Sequence, residues 1–139
     1  MDQFLGRRYK LAEPDTKNFD EYMKFIDIGL ISRKTAASVS PVAEMTKTET
    51  GEYILTFTTL IKTMRAVFRL GEEFIEERAD GTKVKSTITW EDGKLVQVQV
   101  EDNGRKSKHV RTFTMDTLTA ETTAEGWDGK CVRVYRYLP

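Results

Sequence analysis

The sequence has one cysteine, one histidine and three prolines, and neither sign of charge is in excess. Each scarcity excludes something. Cys131 alone cannot close an intramolecular disulfide, so a reduced compartment, the cytosol, is expected. One Cys and one His are too few for a structural zinc site, and no metal or cofactor is expected. Lys plus Arg number 22 and Asp plus Glu number 22, which counts against a nucleic-acid binder relying on a basic surface. No uncharged run exceeds nine residues, too short for a helical membrane span. The opening MDQFLGRRYK has no apolar core of signal-peptide length. Pro14, Pro41 and Pro139 are scattered, and no composition shift divides the chain. One domain over residues 1–139 is therefore expected.

What is present reads as strand. Runs rich in Val, Ile, Thr, Tyr and Phe lie at about 53–60, 63–70, 73–79, 82–91, 94–101, 105–114, 117–124 and 130–138, with Leu5–Ala12 and Val42–Thr48 adding two more. Thr50-Gly51, Asp80-Gly81, Asp92-Gly93, Asn103-Gly104 and Asp128-Gly129 punctuate them, pairs suited to tight turns because they tolerate positive φ. Period two supports strands with two different environments. Met64, Ala66, Phe68 and Leu70 oppose Arg65 and Arg69, and Val96, Val98 and Val100 alternate with Gln97 and Gln99.

Residues 18–38 break that period. Phe19, Tyr22, Met23 and Ile26 follow helical spacing, with Asn18 as N-cap and Asp20 and Glu21 in the first turn. Gly29 interrupts, and Leu30–Ala37 forms a second short helix. One strand, two helices and then about nine strands predict an all-β, ten-stranded antiparallel up-and-down barrel. A helix-turn-helix lid over about 16–37 caps it. Closure of the barrel would remove the edge strands.

Several stretches resemble the intracellular fatty-acid-binding protein family. They are Phe4-Leu5-Gly6, Tyr9-Lys10-Leu11, Asn18–Lys24, Phe68–Phe74, Lys83–Ser86, Lys94–Gln99 and the terminal Cys131-Val132-Arg133-Val134-Tyr135. The resemblance runs from residue 4 to 137 in order. Ala12–Lys17, Gly6-Arg7-Arg8-Tyr9 and Ala124–Lys130 are each longer than the family pattern, and Tyr9 stands for a Trp. These departures are expected to alter loops and the barrel base rather than the ligand site. The resemblance implies a water-filled cavity, a long-chain fatty acid or similar lipid carboxylate as ligand, no catalysis, and a cytoplasmic monomer.

The resemblance also assigns residues. Arg133 and Tyr135, with Arg111 two strands away, would hold the carboxylate. Arg133 and Tyr135 are two apart and so share a strand face, and a guanidinium can grip a carboxylate with two donors. The plainer reading makes both arginines outward-facing strand residues. Phe19, Tyr22, Met23, Ile28 and Ala36 would line the lid side of the entrance, with Pro41 after it and Ile61, Ala79 and Asp80 at facing turns. Simple helix-to-barrel packing would explain the Phe19/Tyr22/Met23 stripe equally well.

His109 shares strand parity with Arg111, and a polar lumen residue or an exposed one is expected, since no catalytic partner accompanies it. Cys131 reads as a small buried apolar residue. Trp90 and Trp127 receive no role. Lys24, Arg33 and Lys34 make the lid locally basic. That is a solvated helix face or, by resemblance, a contact for anionic membranes or nuclear import. Paired arginines favour an acid over an alcohol, so retinoic acid is the alternative ligand. A membrane-associated structural barrel is the alternative outside the carriers, and neutral net charge counts against it.

Overall fold

The computed structural model describes residues 1–139. Ten strands form one antiparallel sheet: β1 (Arg8–Glu13), β2 (Val42–Lys47), β3 (Tyr53–Thr58), β4 (Thr63–Phe68), β5 (Phe74–Glu77), β6 (Lys83–Glu91), β7 (Lys94–Val100), β8 (Lys106–Phe113), β9 (Thr117–Ala124) and β10 (Cys131–Tyr137). Two helices, α1 (Thr16–Phe25) and α2 (Leu30–Ala37), sit between β1 and β2.

Every pair of consecutive strands except β4 and β5 is hydrogen-bonded, and β1 joins β10, so the sheet curls into a barrel. It is nearly closed rather than closed. β4 and β5 are not hydrogen-bonded to one another and remain as the two edges. The expectation that closure abolishes every edge is thus corrected. The turn between these strands, with positive φ at Gly71, bonds across to Ile88 of β6 instead of tying β4 to β5.

The turns also differ from a uniform Xaa-Gly hairpin. At Asp92-Gly93 both residues have positive φ, as a two-residue hairpin requires. At Asp128-Gly129 neither does. The left-handed residue of that hairpin is Gly126, with φ 84°. Gly129 is small for another reason: a Cβ there would fall 2.6 Å from Trp127 Cε2 and closer still to Cζ2.

α1 begins earlier than the sequence implies. Its N-cap is Asp15, held at φ 48°, so Asn18 lies inside the helix, and the acidic pair Asp20 and Glu21 falls beyond the first turn. The Asn18 side chain instead donates to Asp15 Oδ1 at 3.0 Å. Asp15 Oδ2 accepts from the Val132 amide at 2.8 Å and ties the helix start to β10.

The apolar core fills one end of the barrel. Phe4 stacks on Phe113, and Tyr9 meets Phe113 edge-on and donates its hydroxyl to Thr114 O at 2.8 Å. Leu55, Ile88, Leu95 and Leu118 complete this plug. Tyr22, Met23 and Ile26 of α1 form a second, separate cluster at the other end. Between the two clusters the barrel is hollow.

Candidate functional site

The hollow is a cavity of about 460 Å³, open beneath the helices. All twelve residues singled out above line it. Phe19, Tyr22, Met23, Ile28 and Ala36 come from the helices and their connection, and Pro41 from the segment before β2. Ile61 stands in the β3–β4 turn, and Ala79 and Asp80 in the β5–β6 turn. Arg111, Arg133 and Tyr135 form the inner wall.

Register explains why the arginines converge. Arg111 of β8 and Arg133 of β10 both pair with Ala120 of β9, so they occupy one row with a small residue between them. Two strand spacings separate their Cα atoms by about 10 Å. The side chains then diverge. Arg111 Nη1 donates to Gln97 Oε1 at 2.7 Å. Arg133 turns toward the lid, with Nη1 donating to Pro14 O at 3.1 Å and its guanidinium stacked 3.7 Å above the Phe19 ring. Neither arginine makes an ion pair. Burial pushes the Arg111 guanidinium below its ordinary pKa, opposed by the Glu76 carboxylate nearby. The Tyr135 ring packs on Phe57, 6.3 Å between centroids.

The Arg133–Pro14 bond corrects one expectation. The long Ala12–Lys17 segment is not remote from the site, because its Pro14 carbonyl holds one of the two arginines. A bulge in β1 between Leu11 and Glu13 absorbs part of the extra length.

The sequence reading missed a second polar wall. On β7 the buried positions are Leu95, Gln97 and Gln99, while Val96, Val98 and Val100 lie on the opposite face. The glutamines thus point inward. Gln97 Nε2 donates to Glu76 Oε1 at 2.8 Å and to Ser86 Oγ at 2.8 Å. Gln99 Nε2 donates to the same Glu76 oxygen at 2.6 Å. Gln99 Oε1 accepts from His109 Nε2 at 2.8 Å, so Nδ1 carries no proton and accepts from Thr122 Oγ1 at 2.7 Å. Phe57 and Met64 were also missed. Their inward strand parity was the available signal.

His109 therefore faces the lumen, as one of its two expected settings. Burial first, then the positive charges of Arg111 and Arg78, push its pKa down from 6.5 to about 3. Tyr22 meets it edge-on, and Gln99 relays the Glu76 carboxylate to it. Below pH 6.5 the unfolded chain takes up a proton that the folded chain refuses until about pH 3. Stability should then decline as pH falls through that window, by at most about 1.4 kcal/mol per unit. His109→Gln should flatten the decline, read as urea midpoints at about pH 7 and about pH 5. Equal declines in both proteins would place the acid sensitivity elsewhere.

Two further expectations need adjustment. Arg33 is not a free surface cation: its Nε lies 3.0 Å from Asp20 Oδ1, and its Nη1 donates to Ile28 O at 2.7 Å. Lys24 and Lys34 are exposed, as is Lys17 at the start of α1, and exposed Leu30 and Ile31 share the helical segment with them. Trp127, given no role above, packs on Tyr22 at 5.7 Å and belongs to the α1 cluster. Trp90 supports the core at the opposite end. Cys131 is buried, and burial pushes its thiol up to about 11, so it is an apolar filler rather than a nucleophile.

On the lid's far side Arg105 acts as a clamp. It donates to Phe25 O at the end of α1 at 2.9 Å and bridges Asp27 and Glu101. No helix is long and apolar enough to cross a membrane.

Residues 8–136 match the lipocalin / cytosolic fatty-acid binding protein family. A muscle fatty-acid-binding protein of Schistocerca gregaria is 48% identical over 105 residues, 74% of this chain and 76% of that one. A solved fatty-acid-binding protein from Drosophila melanogaster brain superposes with a TM-score of 0.85 at 44% identity, covering 96% of this chain and 98% of its own. A Schistosoma mansoni fatty-acid-binding protein, solved in complex with arachidonic acid, superposes at 0.88 with 29% identity, over 100% of this chain and 98% of that one.

Proposed function

The chain belongs to the lipocalin / cytosolic fatty-acid binding protein family, and on that premise we propose that it carries a long-chain fatty acid in the barrel cavity, with the carboxylate held by Arg111, Arg133 and Tyr135. One observation carries this reading: two arginines of the lumen, Arg133 buried and Arg111 half-buried, make no direct ion pair with a carboxylate. Buried charges are normally paired, so an anion is the missing partner.

The magnitudes divide the work. A hydrogen bond to a charged group contributes about 1.5–3 kcal/mol net. Burying acyl methylenes yields about 0.8 kcal/mol each, on the order of 10 kcal/mol gross for a long chain. Ordering and association costs offset much of that. The tail supplies most of the affinity and the arginines select an acid. The reading includes no reaction step, because His109 has both ring nitrogens engaged and faces no nucleophile. Carriage takes place in the cytosol as a monomer. Contact with anionic membranes falls to Lys24 and Lys34, and comparing ligand delivery to anionic and neutral vesicles tests that part.

Titration calorimetry with palmitate, palmityl alcohol and retinoic acid tests the main reading. Palmitate should bind more tightly than the alcohol by a factor of ten or so, the size of one charge-assisted hydrogen bond. Retinoic acid binding more tightly than palmitate would transfer the reading to a retinoid carrier. Equal affinity for acid and alcohol would end the carboxylate assignment.

A further inference from the structure

We propose that Glu76, Arg78 and Gln99 form a second polar subsite that takes a hydroxyl group on the carboxylate half of the bound chain, so that hydroxylated fatty acids are the preferred cargo. The proposal rests on the carboxylate lying at Arg111 and Arg133.

The subsite follows from β5. Glu76 lies two residues before Arg78, so both side chains leave the same face, and both line the cavity together with Gln99. The Gln99 carboxamide spans them. Its nitrogen donates to Glu76 Oε1 at 2.6 Å and its oxygen accepts from Arg78 Nη2 at 3.4 Å. Gln97 donates to that same Glu76 oxygen. Both amides therefore use Oε1, and Oε2 has no protein partner.

Arg78 is also underused. Its contacts are long, 3.4 Å to Gln99 and 3.6 Å to Glu101. The pair thus offers one strong acceptor and spare donors, side by side, in a cavity half of whose lining residues are apolar. A hydroxyl needs both, giving its proton to Oε2 and accepting from Arg78.

A plain methylene chain fits this wall badly. Laid over Glu76, it would displace water from a carboxylate oxygen and return nothing. A site with buried groups aimed at a hydroxyl rejects the analogue that lacks it. The position along the chain is bounded too. Gln97 alone separates Glu76 from Arg111, bonded to each at 2.8 Å and 2.7 Å. The hydroxyl must then lie near the carboxylate and not at the methyl end.

The test is calorimetric titration with palmitate, a hydroxypalmitate substituted in the carboxylate half, and the isomer hydroxylated at the methyl end. Wild-type protein should bind the first isomer about tenfold more tightly than palmitate, the effect of one hydrogen bond to a charged group. The methyl-end isomer should show no gain. Glu76→Leu should erase the preference, so that the hydroxylated isomer and palmitate bind alike. Should Glu76→Leu fail to fold, Glu76→Gln should reduce the preference, since an amide oxygen is a weaker acceptor. Equal affinity for the three acids, or a preference that survives both substitutions, would overturn the subsite while leaving the carrier reading intact. Failure of every acid to bind would overturn both.

Discussion

Arg111→Gln should weaken palmitate binding by about 1.5–3 kcal/mol, one charged hydrogen bond, and at the same time raise the melting temperature of the ligand-free protein. The two effects have one origin. Arg111 lies in the lumen with a single direct hydrogen bond, to Gln97, and burial already disfavours its charged form. Replacing a poorly compensated buried charge by a neutral group of similar reach is neutral or stabilising. In the proposed complex a carboxylate would compensate that charge, so the complex should lose what the free protein gains.

Arg133→Gln should separate from it. That guanidinium stacks on Phe19 and bonds Pro14 O, so it fastens α1 and the β1–α1 segment to β10. Its loss should weaken binding similarly but lower ligand-free stability. Melts without ligand, and titrations with palmitate and palmityl alcohol, distinguish the two. If both substitutions leave acid-over-alcohol selectivity unchanged, the arginines are structural and their assignment to the carboxylate fails.

This contrast was not legible in the sequence, which presents the arginines as equivalents. Parity placed Arg133 and Tyr135 on one face, and the number and order of strands and helices followed from period and turn residues. What escaped was the meaning of inside. In β7 the apolar residues Val96, Val98 and Val100 turn outward and Gln97 and Gln99 inward. Hydrophobic alternation gives the period of a strand but not its direction when the interior is a polar-walled cavity. Glu76 and Arg78 were missed for the same reason, since charged residues at the end of a short strand read as surface.

Chain length misled in a related way. The long segments Ala12–Lys17 and Ala124–Lys130 read as loop variation, yet both reach the lid. Pro14 holds Arg133, and the Gly126 backbone approaches Phe25 closely enough that a Cβ would lie 3.4 Å from its ring. The nonlocal contacts that give such loops their role have no local signature. Only the glycines hint at them, and Gly129 was assigned to a turn conformation it does not adopt.

Trp127→Ala should release ligand faster, on the order of a hundredfold, while leaving the carboxylate selectivity of the cavity unchanged. Trp127 does not line the cavity. It stands in the β9–β10 hairpin and covers Tyr22 within the cluster that seats α1. Removing a buried aromatic ring costs about 3–5 kcal/mol, and Trp127, only partly buried, belongs at the low end. If opening of the lid breaks this contact, about 3 kcal/mol multiplies the open population roughly a hundredfold. Gly129→Ala should act in the same direction from the other side. Its Cβ would overlap the Trp127 ring and push it off Tyr22, an overpacking penalty of about 1–3 kcal/mol. Stopped-flow release of a bound fatty acid into vesicles reads both variants, and the acid-to-alcohol affinity ratio serves as the control. Faster release with an unchanged ratio identifies the hairpin as the seat of the lid. A release rate that stays at the wild-type value in a folded Trp127→Ala protein would mean that ligand leaves by another route, and the unbonded seam between β4 and β5 is then the place to look.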